Sequence, residues 1–351
     1  MKEWLKELQN LVRNIEGIEK FFPLTDEEKE SFKKVTSIYP FLSTPYYLSL
    51  AVKSCAIKRM IFPNIMEINE AIQSKGEEDP LSEERDKKTL HLTHRYPDRV
   101  LVVTTNFCPT LCRFCMRKRN WKKKTFFISD TEIENALNYI RKNENIRDVL
   151  ISGGDPLFLP IEKLKKLLFG LKAIDHVEVV RVGTRAPVTL PHRLLDDDLL
   201  EVLEKAEKVW VNTHFNHPDE ITELSKEAVK NLLKAGIPVN NQTVLLKGIN
   251  DSADILEKLF RNLQKIKVRP YYLFHCDPVK GVMHFSTSIT KGIKILEKLF
   301  KRISPFAIPY YAVDGPGGKG KVQILPDRYK KEGNFYIFRS FNGETFKMLD
   351  M

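Results

Sequence analysis

Two patterns of apolar and polar positions divide the chain near residue 98. Before that point, apolar residues recur at helical spacing between proline-containing turns, as in TDEEKESFKKV and TPYYLSLAVKSC, and a polar stretch, GEEDPLSEERDKKT, reads as a linker. After it, short β-branched runs alternate with amphipathic segments of helical length. We therefore expect a mainly helical region over 1–98, an α/β core over 99–303 and a short β tail over 304–351.

Six apolar runs in the core predict six β-strands. They are RVLVVTT (99–105), DVLISGG (148–154), VEVVRVGT (177–184), VWVNTH (209–214), PVNNQTVL (238–245) and VRPYYLFH (268–275). An amphipathic segment follows each run, and Ser129 and Asp251 are candidate N-caps for two of these helices. Repeated βα units form parallel sheets, and six repeats fall short of the usual eight, so the pattern predicts an open, partial (β/α)6 barrel.

Polar residues and glycines cluster just after the ends of the predicted strands. They are Gly153, Gly154, Asp155, Arg185, His214, Asn216 and Asp277. Barrel enzymes place their chemistry at the carboxyl ends of their strands, so we expect an active site at this end of the sheet.

Composition and charge narrow the class of protein. The chain has 351 residues, of which 42% are hydrophobic, and a formal net charge of +11. The sequence has neither a signal peptide pattern nor an apolar run of membrane-spanning length, so we expect a cytoplasmic protein without a membrane partner. No basic run is interleaved with aromatics, which argues against nucleic acid. The densest basic cluster, RKRNWKKK at 117–124, is compatible with a solvated loop and, because it follows the cysteines, with a surface that faces a substrate or an electron donor.

Three of the five cysteines, Cys108, Cys112 and Cys115, are crowded into eight residues as C-x3-C-x2-C. Structural zinc prefers four ligands in two pairs, and a distant fourth ligand, Cys276, lies beside an acid at another strand end. Three thiols on one loop suit a [4Fe–4S] cluster better, because the fourth iron then stays open for another ligand. For Cys55 and Cys276 we expect buried positions.

With Phe114 before its last cysteine, this motif resembles that of the radical S-adenosylmethionine superfamily. SGGDPL (152–157) resembles the superfamily's glycine-rich turn, which predicts Gly153, Gly154 and Asp155 as cofactor-binding residues. Further segments in order, among them LTHRYPDRVL, RVGTRAPVTLP, THFNHPDEIT and VDGPGGKGKVQILP, narrow the resemblance to the lysine 2,3-aminomutase family.

The resemblance implies three cofactors: the iron–sulfur cluster, S-adenosylmethionine and pyridoxal 5′-phosphate. In that family the reduced cluster cleaves S-adenosylmethionine to a radical, which removes hydrogen from C3 of a pyridoxal-bound amino acid before the nitrogen moves from C2 to C3. It also implies a flavodoxin- or ferredoxin-type reductant.

Six residues near a pyridoxal site are assigned through the resemblance. Lys321 stands where the family has the lysine that binds pyridoxal covalently, while Lys319, a rival by sequence alone, falls on a family glycine. Arg95 and Arg99 match arginines near the cofactor phosphate, which forked guanidinium groups suit. Gln242 matches a polar position lining the pocket, as do His214 and Asn216, and a purely structural role for His214 stays open.

The substrate contacts follow from the same resemblance. Arg117 matches the arginine that pairs with the substrate carboxylate, and Asp277 and Asp314 match two aspartates that hold the ε-ammonium of lysine. Relatives directed to glutamate carry a lysine and an asparagine instead. We therefore expect L-lysine as substrate and β-lysine as product.

One departure from the family concerns assembly. Larger members carry a zinc site between subunits, but Ser252 stands in place of one of its cysteines and the chain ends without others, so we expect no zinc and leave a homo-oligomer open. Alternative functions are the same chemistry on arginine or glutamate, or in the modification of elongation factor P. A non-enzymatic iron–sulfur electron carrier is the remote alternative.

Overall fold

The computed structural model describes residues 1–340 and 342–350. Ten strands form one sheet in chain order, and the neighbours from β3 to β9 are all parallel. They are β1 (Lys87–Thr89), β2 (Leu92–Tyr96), β3 (Arg99–Thr105), β4 (Asp148–Gly153), β5 (Val179–Gly183), β6 (Val209–Thr213), β7 (Val239–Leu245), β8 (Arg269–His275), β9 (Tyr310–Gly315) and β10 (Gly320–Gln323). All six predicted strands are present, and the fold is the predicted partial barrel.

Helices precede the sheet and connect its parallel strands. Those before the sheet are α1 (Glu3–Gln9), α2 (Ile15–Glu19), α3 (Asp26–Thr36), α4 (Pro45–Lys53), α5 (Cys55–Ile61) and α6 (Glu70–Gln73). The connecting helices are α7 (Asp130–Arg141), α8 (Ile161–Lys172), α9 (Ala186–Thr189), α10 (Asp197–Lys205), α11 (Glu223–Lys234), α12 (Ala253–Lys265) and α13 (Ile289–Arg302). Ser129 caps α7 as predicted, but the predicted cap Asp251 is wrong, because Ser252 caps α12.

The two faces of the sheet differ in chemistry. One ladder row of buried side chains crosses five strands on the face that packs against the connecting helices: Val102, Ile151, Val182, Val211 and Val239. Side chains alternate along a strand, so the intervening positions face inward. These inward positions include Arg99, Ser152, Arg181, Asn240, Gln242 and Tyr272. The apolar core therefore lies outside the sheet, and the inner face is largely polar.

Strand β9 was not predicted from the sequence. It pairs in parallel with β8, so the segment assigned to a β tail begins with a strand of the main sheet. Its sequence, YYAVDG, has no run of β-branched residues and leads directly into a glycine-rich turn, so the local pattern hides it. The antiparallel pair β9 and β10 follows. The predicted domain limits stay a prediction.

The predicted linker over 76–89 is packed against the rest of the protein. Glu83 is buried there and forms ion pairs with Arg117 and Arg119, and the last residues of the segment form β1. A polar sequence is typical of a solvated linker. Here the Glu83 carboxylate is instead neutralised by two arginines that are distant in sequence. We call residues 76–86 the strap.

The two ends of the main sheet meet through hydrogen bonds outside the ladder. In the described parts of the chain, β1 and β10 are not paired with each other. Instead, the Lys321 backbone N–H donates to the Tyr96 hydroxyl at 2.9 Å, and the Arg85 guanidinium donates to the Gly317 carbonyl at 2.9 Å. The Gly317 N–H in turn donates to the Pro80 carbonyl at 2.7 Å. The sheet therefore curls until the strap and β2 contact the glycine-rich loop.

A second, antiparallel sheet forms the C-terminal region. Its strands are β11 (Tyr329–Glu332), β12 (Phe335–Arg339) and β13 (Thr345–Leu349). A β structure was predicted for this region. None of the helices within 1–340 and 342–350 has the length and hydropathy needed to cross a bilayer.

A buried ionic network joins the N-terminal helical region to the cysteine loop. Glu67 is 1% exposed, and Arg113 and Lys118 are fully buried. Both cations contact the same Glu67 oxygen at 2.5 Å. Burial raises the pKa of Glu67, but the charges of Arg113 and Lys118 outweigh burial and hold that pKa at about 2. The carboxylate therefore stays ionised within the core.

Replacement of Glu67 by alanine leaves two cations buried without a counter-charge. Removing one partner of a buried ion pair typically costs about 3–5 kcal/mol, so we expect Glu67→Ala to lower the free energy of unfolding by about that amount in denaturant titrations. As a control, Glu3→Ala removes an exposed carboxylate paired with Lys6 and should leave the midpoint unchanged. Equal midpoints for the two variants would contradict this role of Glu67.

Candidate active site

The three clustered cysteines lie on the loop that follows β3, at the carboxyl end of the sheet. Their thiols are free. Burial raises the pKa of the Cys108 thiol, and the charges of Asp155, Cys115 and Cys112 raise it further. Cys276 is buried as predicted.

The expectation of a buried Cys55 is wrong. Cys55 is exposed because it occupies the first position of α5 on the solvent side.

The donor set of this loop fits an iron–sulfur cluster. Within 1–340 and 342–350, no three His, Cys, Asp or Glu side chains are arranged around a point where one metal ion could bind. A [4Fe–4S] cluster requires a different geometry, because each thiolate binds a separate iron and the sulfurs stand farther apart than around one ion. Thiolates are also the ligands that iron–sulfur clusters select.

The glycine-rich turn after β4 packs on the cysteine loop. A Cβ at Gly153, where φ is +127°, would lie 2.3 Å from the Thr105 carbonyl oxygen, and one at Gly154 would lie 2.2 Å from that of Phe107. The Gly154 N–H donates to Thr105 at 2.5 Å. Both glycines are therefore needed for the contact between two loops of the protein itself.

Asp155 connects this turn to the loop after β5. Its carboxylate accepts hydrogen bonds from the Thr184 hydroxyl at 2.7 Å and the Arg185 backbone N–H at 2.8 Å. Burial raises the pKa of Asp155, and these hydrogen bonds partly offset the increase. In this structure the carboxylate orients neighbouring loops, and its contact with a cofactor stays a prediction.

Arg185 lies beside the cysteine loop, although its role was not predicted from the sequence. Its Nη1 donates to Cys112 Sγ at 2.7 Å, its Nε donates to the His214 carbonyl at 2.9 Å, and its Nη2 is paired with Glu220. The fully buried Glu220 also accepts from the Tyr47 hydroxyl at 2.5 Å. Glu220 and Tyr47 carry no distinctive sequence signal, because they meet Arg185 only after folding.

His214 and Asn216 lie in the loop after β6, whereas Gln242 lies within β7. His214 Nε2 lies 3.1 Å from Asn216 Oδ1, and burial together with Arg185 lowers the pKa of His214 to about 3. Asn216 Oδ1 also accepts from the Val244 N–H at 2.9 Å, so this side chain supports the backbone of β7. Gln242 lies on the inner face of β7 at an inward position. His214 is therefore neutral near pH 7.

Lys321, in β10, points its amine at Asp314, in β9. The Lys321 Nζ lies 2.8 and 3.1 Å from the two Asp314 oxygens and 5.0 Å from the centre of the Phe274 ring. The bond from its backbone to Tyr96 fixes the position of this strand. Lys319, the rival lysine, is exposed. Lys321 is exposed as well, so its ion pair with Asp314, and not burial, separates the two lysines, and its bond to pyridoxal stays a prediction.

Two predicted arginines lie beside the glycine-rich loop that bears Lys321. Gly318 has φ +74°, and a Cβ there would lie 3.1 Å from the Arg95 guanidinium carbon. The Arg99 guanidinium stacks 4.0 Å from the ring centre of Tyr96, whose hydroxyl holds the Lys321 backbone. A lysine, two guanidinium groups and a glycine-rich loop fit a phosphorylated aldehyde cofactor.

The predicted substrate-binding residues lie within electrostatic reach of one another. Burial raises the pKa of Asp277 to about 7, with the charge of Asp314 as the next cause, while Lys321 and Arg117 lower it. Arg117 donates to both oxygens of Glu83, at 2.6 and 3.1 Å. Burial raises the pKa of Glu83, but Arg117 and the neighbouring arginine hold it at about 2. The charges of Asp314, Lys321 and Arg117 therefore all act on the Asp277 carboxyl group.

The partial barrel and its three-cysteine loop define a radical S-adenosylmethionine enzyme. The sequence model of the Radical SAM superfamily matches residues 102–259, which include the cysteine loop and the strands from β4 to β7. A [4Fe–4S] cluster and S-adenosylmethionine are therefore cofactors of this protein.

Relatives of known name narrow the class. The chain is 52% identical to a provisionally named L-lysine 2,3-aminomutase of Aquifex aeolicus (strain VF5), over 98% of this chain and 93% of that protein. It is 43% identical to the L-lysine 2,3-aminomutase of Methanococcus maripaludis, over 96% and 79%. It is 41% identical to the glutamate 2,3-aminomutase of Clostridioides difficile (strain 630), over 98% and 82%.

This chain belongs to the lysine 2,3-aminomutase family of radical S-adenosylmethionine enzymes. It is an isomerase that performs intramolecular amino transfer, with pyridoxal phosphate as a third cofactor. The predicted family, fold class, enzyme class and cofactors are thus confirmed.

Ionised Asp277 should destabilise the cofactor-free protein. The folded-state pKa is about 7 and the unfolded-state value is about 3.9, so the folded state binds the proton more tightly. The penalty therefore begins as the pH rises above about 4 and is complete above about 7. We expect Asp277→Asn to raise the denaturation midpoint above pH 7 and to change it little at pH 4. Exposed Asp175→Asn is the control, and an equal gain in both variants would refute the burial argument.

Proposed function

We propose that this protein is an L-lysine 2,3-aminomutase, which moves the α-amino group of L-lysine to C3 and forms β-lysine. The pair of acidic side chains, Asp277 and Asp314, carries this assignment. Two carboxylates that raise each other's energy, in a partly buried place next to Lys321, are best satisfied by an additional cation. The ε-ammonium of lysine is such a cation.

The opposite end of the substrate is assigned to Arg117. Its guanidinium holds the Glu83 carboxylate with two N–H donors, and Arg119 shares the same carboxylate. Glu83 thus orients Arg117, while Asp79 lies 3.1 Å from Arg119 and balances its charge. We assign the Arg117 guanidinium to the α-carboxylate of the amino acid, in agreement with the resemblance.

The cofactors are assigned to two places. Cys108, Cys112 and Cys115 hold the cluster, with Gly153, Gly154, Asp155, His214, Asn216 and Gln242 in the part of the site that receives S-adenosylmethionine and the pyridoxal ring. Lys321, Arg95 and Arg99 hold pyridoxal phosphate. The cofactors supply radical generation and delocalisation of the unpaired electron, while the protein supplies orientation and exclusion of water.

Glutamate and arginine are the rival substrates. Identity alone does not separate them, because the glutamate enzyme of Clostridioides difficile is 41% identical to this chain. Asp277 and Asp314 would repel a side-chain carboxylate but accept a guanidinium, so arginine is the closer rival. A role of the same reaction in the modification of elongation factor P stays an alternative use of the product.

The reductant is assigned to a flavodoxin- or ferredoxin-type carrier. Lys122, Lys123 and Lys124 follow the cysteine loop and are exposed, so an acidic carrier would be attracted to the side of the protein nearest the cluster. A homo-oligomer stays a prediction.

Lys321 should carry the pyridoxal group. We expect borohydride reduction of the loaded enzyme, followed by peptide mapping, to place the pyridoxyl label on Lys321, because its amine lies 2.8 Å from Asp314. Lys321→Ala should abolish the label, while the matched control Lys319→Ala should retain it. A label found on Lys319 would overturn this assignment and leave the reaction unchanged.

The two acids should determine selectivity. In an anaerobic assay with dithionite, S-adenosylmethionine and pyridoxal phosphate, we expect turnover of lysine above that of arginine and glutamate. Removing one partner of a desolvated charge pair costs about 2–5 kcal/mol, so Asp277→Ala or Asp314→Ala should lower kcat/KM for lysine roughly 30-fold or more. Asp175→Ala is the surface control. Near wild-type turnover in both site variants, or a wild-type preference for glutamate, would refute the proposed pocket.

A further inference from the structure

A buried guanidinium group contacts one of the three clustered thiols. The Arg185 side chain is 10% exposed, and its Nη1 lies 2.7 Å from Cys112 Sγ. Its guanidinium carbon lies 5.3 Å from the ring centre of Tyr47 and 5.4 Å from that of Phe114. Low exposure and two aromatic neighbours reduce the screening of its charge by water. Arg185 therefore acts on this thiol through a region of low polarity.

The orientation of Arg185 is fixed by partners from two segments, helix α4 and the loop after β6. Its Nε donates to the His214 carbonyl, its Nη2 is paired with Glu220, and the same nitrogen donates to the Tyr47 hydroxyl at 3.1 Å. Glu220 is itself held by the Asn216 N–H at 2.5 Å. The donor aimed at Cys112 is thus preorganised by the helical region and by the loop after β6.

We propose that Arg185 raises the reduction potential of the cluster by donating a hydrogen bond to the Cys112 sulfur, and that Glu220 moderates this effect. Arg185 is then a positioning residue for electron uptake. The proposal rests on the proposed cluster ligation by Cys108, Cys112 and Cys115. It concerns how readily the cluster accepts its electron, which the assignment of the ligands leaves undetermined.

The sign of the effect follows from charge. Reduction by the external carrier adds one electron to the cluster and its thiolate ligands, so a nearby positive charge and an N–H donor stabilise the reduced form more than the oxidised form. The negative charge of Glu220 acts in the opposite direction. Loss of Arg185 should therefore lower the potential, and neutralisation of Glu220 should raise it.

The test is an EPR-monitored redox titration of the reconstituted enzyme without S-adenosylmethionine. For Arg185→Gln we expect a reduced-to-oxidised ratio about tenfold lower at a fixed potential, which is a shift of about 59 mV to more negative values for one electron. Arg185→Lys, which keeps the charge but loses the forked geometry, should shift less. Glu220→Gln should shift in the positive direction.

A matched control separates this local effect from a change in net charge. Arg147→Gln removes the same charge from an arginine that is half exposed, directly before β4 at the opposite end of that strand from the glycine-rich turn, and should leave the potential unchanged. If Arg185→Gln does not assemble a cluster, the opposite shift in Glu220→Gln still tests the proposal.

Two further results distinguish the possible failures. Unchanged potentials in Arg185→Gln and Glu220→Gln, with a normal iron content, would overturn the proposal, as would a weaker affinity for S-adenosylmethionine as the sole defect of Arg185→Gln. Retention of a full cluster in a Cys108/Cys112/Cys115→Ala triple variant would instead overturn the cluster assignment itself.

Discussion

The fold depends on one buried ionic contact, the Glu67 carboxylate shared by Arg113 and Lys118. Arg113 lies between two of the clustered cysteines, and Lys118 follows the last of them, so the loop that carries the thiols is anchored through this contact to the helical region. Buried charges are costly unless they are paired, so separating any of the three groups from the others would cost free energy. The geometry of the cysteine loop is thereby set from outside the barrel.

A second ionic layer organises the substrate end of the site. Glu83, in the strap, contacts Arg117, and the pairing of β9 with β10 places Asp314 next to Lys321. Each of these two contacts joins a carboxylate to a cation, and the two contacts stand at the two ends of the proposed substrate site. The curled sheet makes this possible because β2 contacts β10 through Tyr96 without a closed ladder. An incomplete barrel leaves space for cofactors inside.

The six strands and the cysteine loop could be predicted because they depend on short sequence patterns. Short β-branched runs predicted the six strands, and their alternation with amphipathic segments of helical length predicted the parallel order. The cysteine spacing and the glycine-rich turn are equally local, and they led to the iron–sulfur interpretation. The seventh parallel strand, β9, was missed because Val313 is the one β-branched residue in its short sequence. The strap was mistaken for a linker because the partners of Glu83 lie more than thirty residues away.

The sequence by itself determined the chemical class: three thiols on a loop after the first strand of a βα series, together with family motifs that place a lysine and two aspartates. Only the tertiary structure decided which groups act together. Arg185, Glu220 and Tyr47 come from a barrel loop, another barrel loop and an N-terminal helix, and they meet at Cys112. Long-range pairing of buried charges depends on chain closure and desolvation, which no local pattern records.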